Sequence, residues 1–402
     1  MQAYKMSPVR RQQAMTLLLG AGSLLLVAAI VASPDDVFQA SLQGLTIWWK
    51  IVFPAMLPFL MLSEMLLAFG AVHALGHLLQ PVMQRWFRLP GASAWVLVLG
   101  MSSGFPAGAR AARQLEERGE LTSRQSSILG TASHFCNPLS ILIVIGTGFI
   151  GKPEIGYILI AVHVLSGLLS AWIMARWVLH KPVTAAASAS TVIPQPGWLE
   201  AMHSARLGDG RSFGRLLGET VKNAVQSLLM TGGYMILFSV VILILMKYIT
   251  PGAPAVLWPA IMEVHIGSYA FSQTDGTMLW QAAWISAILG AGGLCGWFQA
   301  VSMLKPADGG AVFGIGRLLH GGLAFAMLWL LWPPVQRWAA SAEPALAFLT
   351  GSGTSGSMPV HPFTLWGQWE ILLLPAGLMA TCLSVLALAS WLTRLLSRAA
   401  SR

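Results

Sequence analysis

The sequence predicts an all-α protein that crosses a membrane several times, and three observations support this fold class. The chain of 402 residues is 55% hydrophobic and only 10% charged, whereas soluble proteins carry about 25% charged residues. Apolar runs long enough to cross a bilayer recur along the chain. Its 17 tryptophans suit the membrane–water interface, where amphipathic rings concentrate.

Apolar runs of about 20 residues predict the membrane crossings. They lie at 15–32, 46–70, 125–149, 155–179, 221–248, 314–334 and 367–392. Two further stretches, 92–109 and 280–304, are too short or too interrupted to cross. We interpret the first run as a retained span rather than a cleaved signal peptide. Basic residues before it, including Lys5 and Arg10, place the N-terminus in the cytoplasm.

The composition divides the chain into five regions. Residues 1–45 form an N-terminal transmembrane helix and an external loop, and 46–180 form a first repeat. Residues 181–218 form a cytoplasmic linker, because "TAAASAST" and "IPQPG" are typical of flexible connections. Residues 219–335 form a second repeat, and 336–402 form a loop with a C-terminal transmembrane helix.

Two interrupted segments predict the internal repeat. "VLVLGMSSGFPAGARAARQL" (96–115) and "ISAILGAGGLCGWFQAVSML" (285–304) share a Leu-Gly step followed by small residues, and each precedes a histidine-containing span. By our count of crossings the two segments enter from opposite sides. Inverted repeats of this kind are typical of secondary transporters. We therefore expect broken transmembrane helices and two re-entrant helical hairpins, at 92–118 and 280–304.

The first hairpin contains candidate substrate contacts. Gly100 and Pro106 allow a helix to stop and restart, and broken backbone at membrane depth is tolerated only around protein or a water-filled cavity. A helix N-terminus in such a place offers free N–H groups to a carboxylate. Ser102, Ser103 and Gly104 would then line the substrate site. The alternative is an interhelical loop with capping serines.

A family resemblance follows from several motifs. "SGFPAGARAARQLEERGELT", "CNPLSILIVIGTGFIG", "MEVHIG", "GGLCGWFQAVS" and "RLLHG" resemble the nucleoside-recognition (Gate) domain, and the sporulation integral membrane proteins that carry it, over about 46–335. That family is similar to the concentrative nucleoside transporters. One branch transports dipicolinic acid into the forespore in stage V of sporulation. The resemblance implies such a transporter, in the cell membrane or the outer forespore membrane.

Polar residues inside apolar segments are further candidates for substrate binding. Asn137 and Pro138 interrupt one span and indicate an unwound helix, or else a structural kink. Gln299 and Ser302 share a helical face, where they would bind substrate or join two helices. Arg317 would clamp a carboxylate in a bidentate manner, or else anchor its helix at the membrane edge.

Four residues are candidates for coupling transport to a proton or a sodium ion. Glu263 and Glu64 are carboxylates in apolar segments, and ionisable groups inside a membrane are usually functional. The alternatives are an interfacial position for Glu263 and an ion pair for Glu64. His134 and His320 would relay protons, or else serve as hydrogen-bonded core residues.

The sequence also excludes several classes of function. "GMSSG" formally matches a hydrolase elbow but lacks the strand-turn-helix context, so we expect no enzyme. No cofactor or metal is expected, because His73 and His77 lack a third ligand. The net charge of +9 arises from basic residues in short loops, so no nucleic acid is expected. The expected partners are membrane lipid and a small anionic or heterocyclic solute. A homo-oligomer, a nucleoside transporter and a non-transporting spore-envelope scaffold stay open as alternatives.

Overall fold

The computed structural model describes residues 8–105, 107–179, 197–304 and 310–350, and all regular secondary structure in these ranges is helical. Five helical segments of this part are long and apolar enough to cross a membrane. They are Pro34–Ala68, Pro153–Val178, Phe213–Ile249, Met278–Leu304 and Ala311–Pro333. The predicted all-α, polytopic fold class is therefore confirmed.

The described chain contains fifteen α-helices. They are α1 Pro8–Ala32, α2 Pro34–Ile47, α3 Phe53–Ala68, α4 Ala71–Arg85, α5 Ala94–Ser103, α6 Ala107–Glu117, α7 Ser123–Ala132, α8 Pro153–Val178, α9 Trp198–Asp209, α10 Phe213–Ile244, α11 Leu257–Met262, α12 Val264–Ser272, α13 Met278–Ala291, α14 Gly293–Leu304 and α15 Ala311–Thr350. Segments with π-helical geometry are Trp48–Val52, Ser140–Phe149 and Leu245–Ile249.

The expected external loop at the end of region 1–45 is a helix instead. Pro34 lies at the first helical position of α2, where its missing N–H costs no hydrogen bond. Asp35 and Asp36 lie in the first turn, where acidic side chains stabilise the positive end of the helix. The two aspartates therefore start a helix that continues into α3, rather than marking a loop.

The expected linker 181–218 is also shorter than its composition suggests. Its residues 198–209 form α9, which packs against α4, and Gly70 lies directly against the backbone of Met202. Gly210 ends α9 in the left-handed conformation that glycine adopts without strain. Residues 180–196 lie outside the described part of the chain, as do Pro106 and the expected C-terminal span 367–392.

Helices α5 and α6 form the first hairpin. Gly100 on α5 and Gly108 on α6 both lie against Ser133, and a Cβ on either glycine would overlap Ser133 atoms. Gly104 separates the two helices with a φ of 73°, which favours glycine. The small residues therefore allow both arms to close on the same segment of backbone.

The second hairpin lies in a different place from the expected 280–304. Helices α13 and α14 do not pack against each other as hairpin arms do, and together they are long enough to cross a membrane. The packed pair is α11 and α12, which directly precede them. Each half thus contains a helix pair, then an interrupted helix, then a long helix. The equivalent of α5 and α6 is α11 and α12, so the expected repeat was out of register by one element.

Two buried apolar clusters divide the bundle, and the interrupted helices cross from one to the other. Phe135 and Leu129 belong to one cluster, whereas Cys136 and Ile141 belong to the other. Helices α13 and α14 are divided between the same two clusters in the same way. The helix interruptions therefore lie at the boundary between two hydrophobic cores.

Candidate functional site

Four interruptions of helical backbone meet inside the bundle. They lie at Gly104, at residues 133–137, at Glu263 and at Gly292. A Cβ on Gly104 would lie 3.4 Å from the backbone nitrogen of Asn137, and one on Gly292 would lie 3.2 Å from Nε2 of His134. Gly293 lies next to the Met262 carbonyl group and Glu263. The four interruptions therefore form one connected region.

Backbone and amide hydrogen bonds join the first hairpin to the interrupted span. The Phe105 N–H donates to the Phe135 carbonyl at 3.1 Å. Asn137 donates from Nδ2 to the Ser102 carbonyl at 3.0 Å, and its Oδ1 accepts from the Leu139 N–H at 2.9 Å. The predicted helix break at Asn137 and Pro138 is therefore present, with helical backbone resuming at Pro138.

Arg317 projects from α15 into the region where the interruptions meet. Its side chain is buried, with 4% of the residue exposed. The guanidinium donates to the His134 carbonyl at 2.7 Å, to the Leu289 carbonyl at 3.4 Å and to the Gly290 carbonyl. Among the described residues it has no carboxylate partner, and its Nε has no hydrogen-bond acceptor. Arg317 is thus not the membrane-edge anchor that the alternative reading described.

His134 lies beside Arg317 with both ring nitrogens unsatisfied. Neither Nδ1 nor Nε2 has a hydrogen-bond partner in the described chain, although the residue is 2% exposed. The ring stacks on Phe105 with a centroid distance of 4.6 Å, and the edge of Phe313 contacts it at 5.0 Å. Buried polar atoms are normally hydrogen-bonded. Within the described residues, one nitrogen of Arg317 and two of His134 thus lie close together without a hydrogen-bond partner.

Glu263 begins α12 and connects the second hairpin to the first interrupted span. Its Oε2 accepts from the Ile266 N–H at 2.8 Å, and its Oε1 lies 2.9 Å from Nδ1 of His265. Nε2 of His265 lies 3.3 Å from the Ser140 hydroxyl group. A neutral His265 would accept from Ser140, whereas a protonated ring would donate on both sides. Glu263 is buried, so the interfacial alternative does not describe it.

A pair of buried histidines supports the interrupted span from behind. Nε2 of His163 accepts from the Cys136 N–H at 3.0 Å, and His163 stacks on His320 at a centroid distance of 4.7 Å. Nε2 of His320 lies 2.9 Å from the His163 carbonyl oxygen. His320 was a sequence candidate, whereas His163 and His265 were not. Both lie in apolar segments, so the signal that pointed to His134 and His320 was also available for His163 and His265.

Other sequence candidates lie away from the meeting point. The Ser302 side chain is exposed and donates to the Gln299 carbonyl of its own helix, and Gln299 donates to the Cys295 sulfur. Ser102 donates within α5 to the Leu99 carbonyl, so only its backbone oxygen contacts the interruption. Ser103 ends α5 as a half-buried residue.

Glu64 belongs to a charged network at the start of α10. It accepts a 2.6 Å hydrogen bond from Asn223 and lies 3.8 Å from Arg211, which also pairs with Asp209 and Glu219. The hydrogen bonds from Arg211 lower the pKa of the Asp209 carboxyl group. Glu64 is thus placed with partners outside the central region, and the structure does not bring it to Glu263.

This arrangement defines a class: a polytopic helical membrane protein whose interrupted helices meet within the bundle. Residues 49–153 match a family model described as Gate, nucleoside recognition. The chain is 35% identical over 342 residues to the Sporulation integral membrane protein YlbJ of Bacillus subtilis (strain 168), covering 80% of this chain and 83% of that protein. The chain belongs to the family of this sporulation integral membrane protein. No solved structure matches it.

Proposed function

We propose that the protein is a secondary transporter of a small anionic heterocyclic solute, with dipicolinic acid or a similar carboxylate as the candidate substrate. The proposal includes a role in sporulation and a place in the cell membrane or the outer forespore membrane. Its N-terminus would lie in the cytoplasm, in line with the basic residues at the start of the chain.

The observation that carries the proposal is the buried Arg317, which has no carboxylate partner in the part of the chain that the structure describes. Backbone carbonyl groups orient its guanidinium but carry no net charge, so a full positive charge remains inside the bundle. Burying an uncompensated charge is costly. A bound anion would supply the missing negative charge, and the unpartnered Nε of Arg317 would donate to it.

The surroundings of Arg317 favour an aromatic anion. Phe105 and Phe313 frame His134, whose two ring nitrogens are available for a hydrogen bond to the solute. A planar ring can stack on such side chains, while its carboxylate faces the guanidinium. The sites at Ser102, Gly104 and Asn137 would contribute backbone groups from the adjoining interruption.

The order of elements supports alternating access. In the proposed topology, three crossings by described residues lie between the two helix pairs, namely the interrupted segment 123–149, α8 and α10. An odd number of crossings makes the pairs enter from opposite sides of the membrane. Inverted pairs around a central site are the basis of access to one side and then the other. The chain Glu263–His265–Ser140 is the proposed site for a coupling proton.

Ligand binding to the purified protein tests the proposal. Dipicolinate, pyridine monocarboxylates, uridine and adenosine would be added in turn while thermal unfolding is followed. A solute that binds only the folded state at about 100 times its dissociation constant stabilises it by roughly 2.7 kcal/mol. We expect stabilisation by dipicolinate, its loss in Arg317→Gln, and its retention in Arg176→Gln. Arg176 is an exposed arginine on α8 and serves as the matched control.

The second candidate substrate is a nucleoside or nucleobase, which the description of the matching Gate domain favours. Nucleosides carry no charge that would pair with Arg317, so their binding would survive Arg317→Gln. If only uridine or adenosine stabilises the protein, the candidate substrate becomes a nucleoside instead of an anion. Uptake of the stabilising solute by proteoliposomes would then separate a transporter from a membrane scaffold.

A further inference from the structure

Arg317 occupies a position made of backbone carbonyl oxygens at the ends of two helices. The His134 oxygen follows the last turn of α7, which ends at Ala132. The Leu289 and Gly290 oxygens belong to the last turn of α13, which ends at Ala291. The guanidinium therefore connects the C-terminal ends of α7 and α13.

Two helix C-termini form a site for a cation. The last carbonyl groups of a helix lack partners within the helix and carry the negative end of its dipole. In secondary transporters, unwound backbone carbonyls and the C-terminal ends of half-helices coordinate the coupling sodium ion. Here the chain places its own positive charge among such oxygens.

We propose that Arg317 is a built-in cation that fills a monovalent metal-ion site, so that no sodium or potassium ion binds between α7 and α13. The role of this built-in cation in a transport cycle rests on the proposed function. Its test uses no solute. Its consequence is that the coupling ion, where one is used, binds elsewhere in the molecule.

The attachment of α15 keeps this charge in place. The Ser170 hydroxyl on α8 donates to the Gly316 carbonyl at 2.8 Å, and Gly321 packs backbone to backbone against Gly290 on α13. Gly316 also lies against the Thr131 side chain of α7. Helices α7 and α13, which supply the carbonyl oxygens, thus both contact α15. These contacts keep the Arg317 guanidinium in place, whereas a free ion can leave.

The experiment compares the thermal stability of the full-length chain in sodium, potassium and choline chloride at equal ionic strength. The wild type sets the baseline, since any ion that binds elsewhere in the molecule contributes equally to the wild type and the variants. Arg317→Ala leaves the oxygens without a cation, so sodium or potassium should raise its melting temperature by about 5 °C in a saturable manner. Arg317→Lys keeps a tethered charge and should respond less than Arg317→Ala. Arg176→Ala should behave as the wild type does.

Two outcomes would overturn the inference. They are an equal gain in the sodium or potassium response of Arg176→Ala, and a folded Arg317→Ala that responds to these ions no more than the wild type does. If Arg317→Ala does not fold in choline, Arg317→Met at the same site replaces it, and recovery of folded protein on adding sodium supports the inference. Failure to recover either variant in any salt counts against it.

The transport proposal can fail independently of this result. A cation response confined to the Arg317 variants, with no solute bound or taken up, would support the built-in cation and remove the transporter. Solute uptake by the wild type, together with an Arg317→Ala variant that responds to sodium and potassium no more than the wild type does, would support the transporter and contradict the built-in cation.

Discussion

The two halves of the bundle interrupt their helices in the same order but hold the interruptions by different means. In the first half, neutral groups join the hairpin α5–α6 to the broken span: the Asn137 amide group and the Phe105 N–H each bind a carbonyl oxygen. In the second half, charged side chains hold the ends: Glu263 caps α12, and Arg317 binds the end of α13 as well as the His134 carbonyl of the first half.

The two halves therefore differ in whether neutral or charged groups hold the broken helices in place. The hydrogen bonds between the hairpin α5–α6 and the first interruption have neutral partners on both sides, although the charged Arg317 also donates to the His134 carbonyl there. The second interruption leaves a positive charge and a carboxylate inside the bundle, and these groups can respond to a ligand. The contrast implies that substitutions in the first half mainly lower the stability of the fold. Substitutions in the second half also change the charge buried inside the bundle.

The largest effect on stability is expected from Gly100→Ala in the first half. The new Cβ would overlap the Ser133 carbonyl oxygen, and backbone on both sides leaves little room to adjust. We expect a loss of about 3 kcal/mol. Thermal unfolding checks this, with Gly233→Ala as the matched control, because Gly233 is helical and has open space around it. Equal melting temperatures of the two variants would show that the close packing of α5 on Ser133 does not matter.

A smaller loss is expected from Asn137→Ala. It removes the hydrogen bonds to the Ser102 carbonyl and the Leu139 N–H, so the Leu139 N–H loses its acceptor and the Ser102 carbonyl keeps only the Ser63 hydroxyl group. The expected cost is about 2 kcal/mol. Asn223→Ala, which removes an exposed amide bound to Glu64, should change stability by about 0.5 kcal/mol or less. If the two variants unfold alike, the amide of Asn137 does not fix the first interruption.

The smallest effect on stability is expected from Glu263→Gln. Glutamine keeps an oxygen that accepts from the Ile266 N–H, so the cap of α12 survives while the negative charge beside His265 is lost. We expect a cost of about 1 kcal/mol, and about 1 kcal/mol more for Glu263→Ala, which also removes the cap. Thermal unfolding of both variants measures the difference. An identical loss in the two variants would contradict a separate capping role.

Local composition was sufficient to predict the helix breaks of the first half but not the break at Glu263 in the second half. Glycines and prolines break helices wherever they occur, so Gly100 to Gly108 and Asn137-Pro138 were recognisable without a structure. The break between α11 and α12 occurs at Glu263, whose backbone is extended (φ −144°, ψ 132°). An extended glutamate has no local sequence signal, and the second hairpin was therefore expected one element too late.

The composition of the site was predicted better than its contacts. Arg317, His134 and Glu263 are unusual because they are ionisable residues in apolar segments, and that rarity is visible in the sequence. Which of them meet depends on contacts between residues far apart in the chain, such as Arg317 and His134. The roles of His163 and Ser140 arise only from such contacts. The same holds for Glu64, whose partner Arg211 lies in the short non-helical connection between α9 and α10.

The close glycine contacts determine which parts of this protein can evolve. At Gly100 and Gly290 the packing surface is mainly backbone, and backbone cannot be resized by point substitution. If the proposed transport function holds, changes in selectivity would fall on the few side chains that border His134 and Arg317, chiefly the rings of Phe105 and Phe313. Selectivity in such a frame would diverge through those two rings, while the surrounding architecture stays constant.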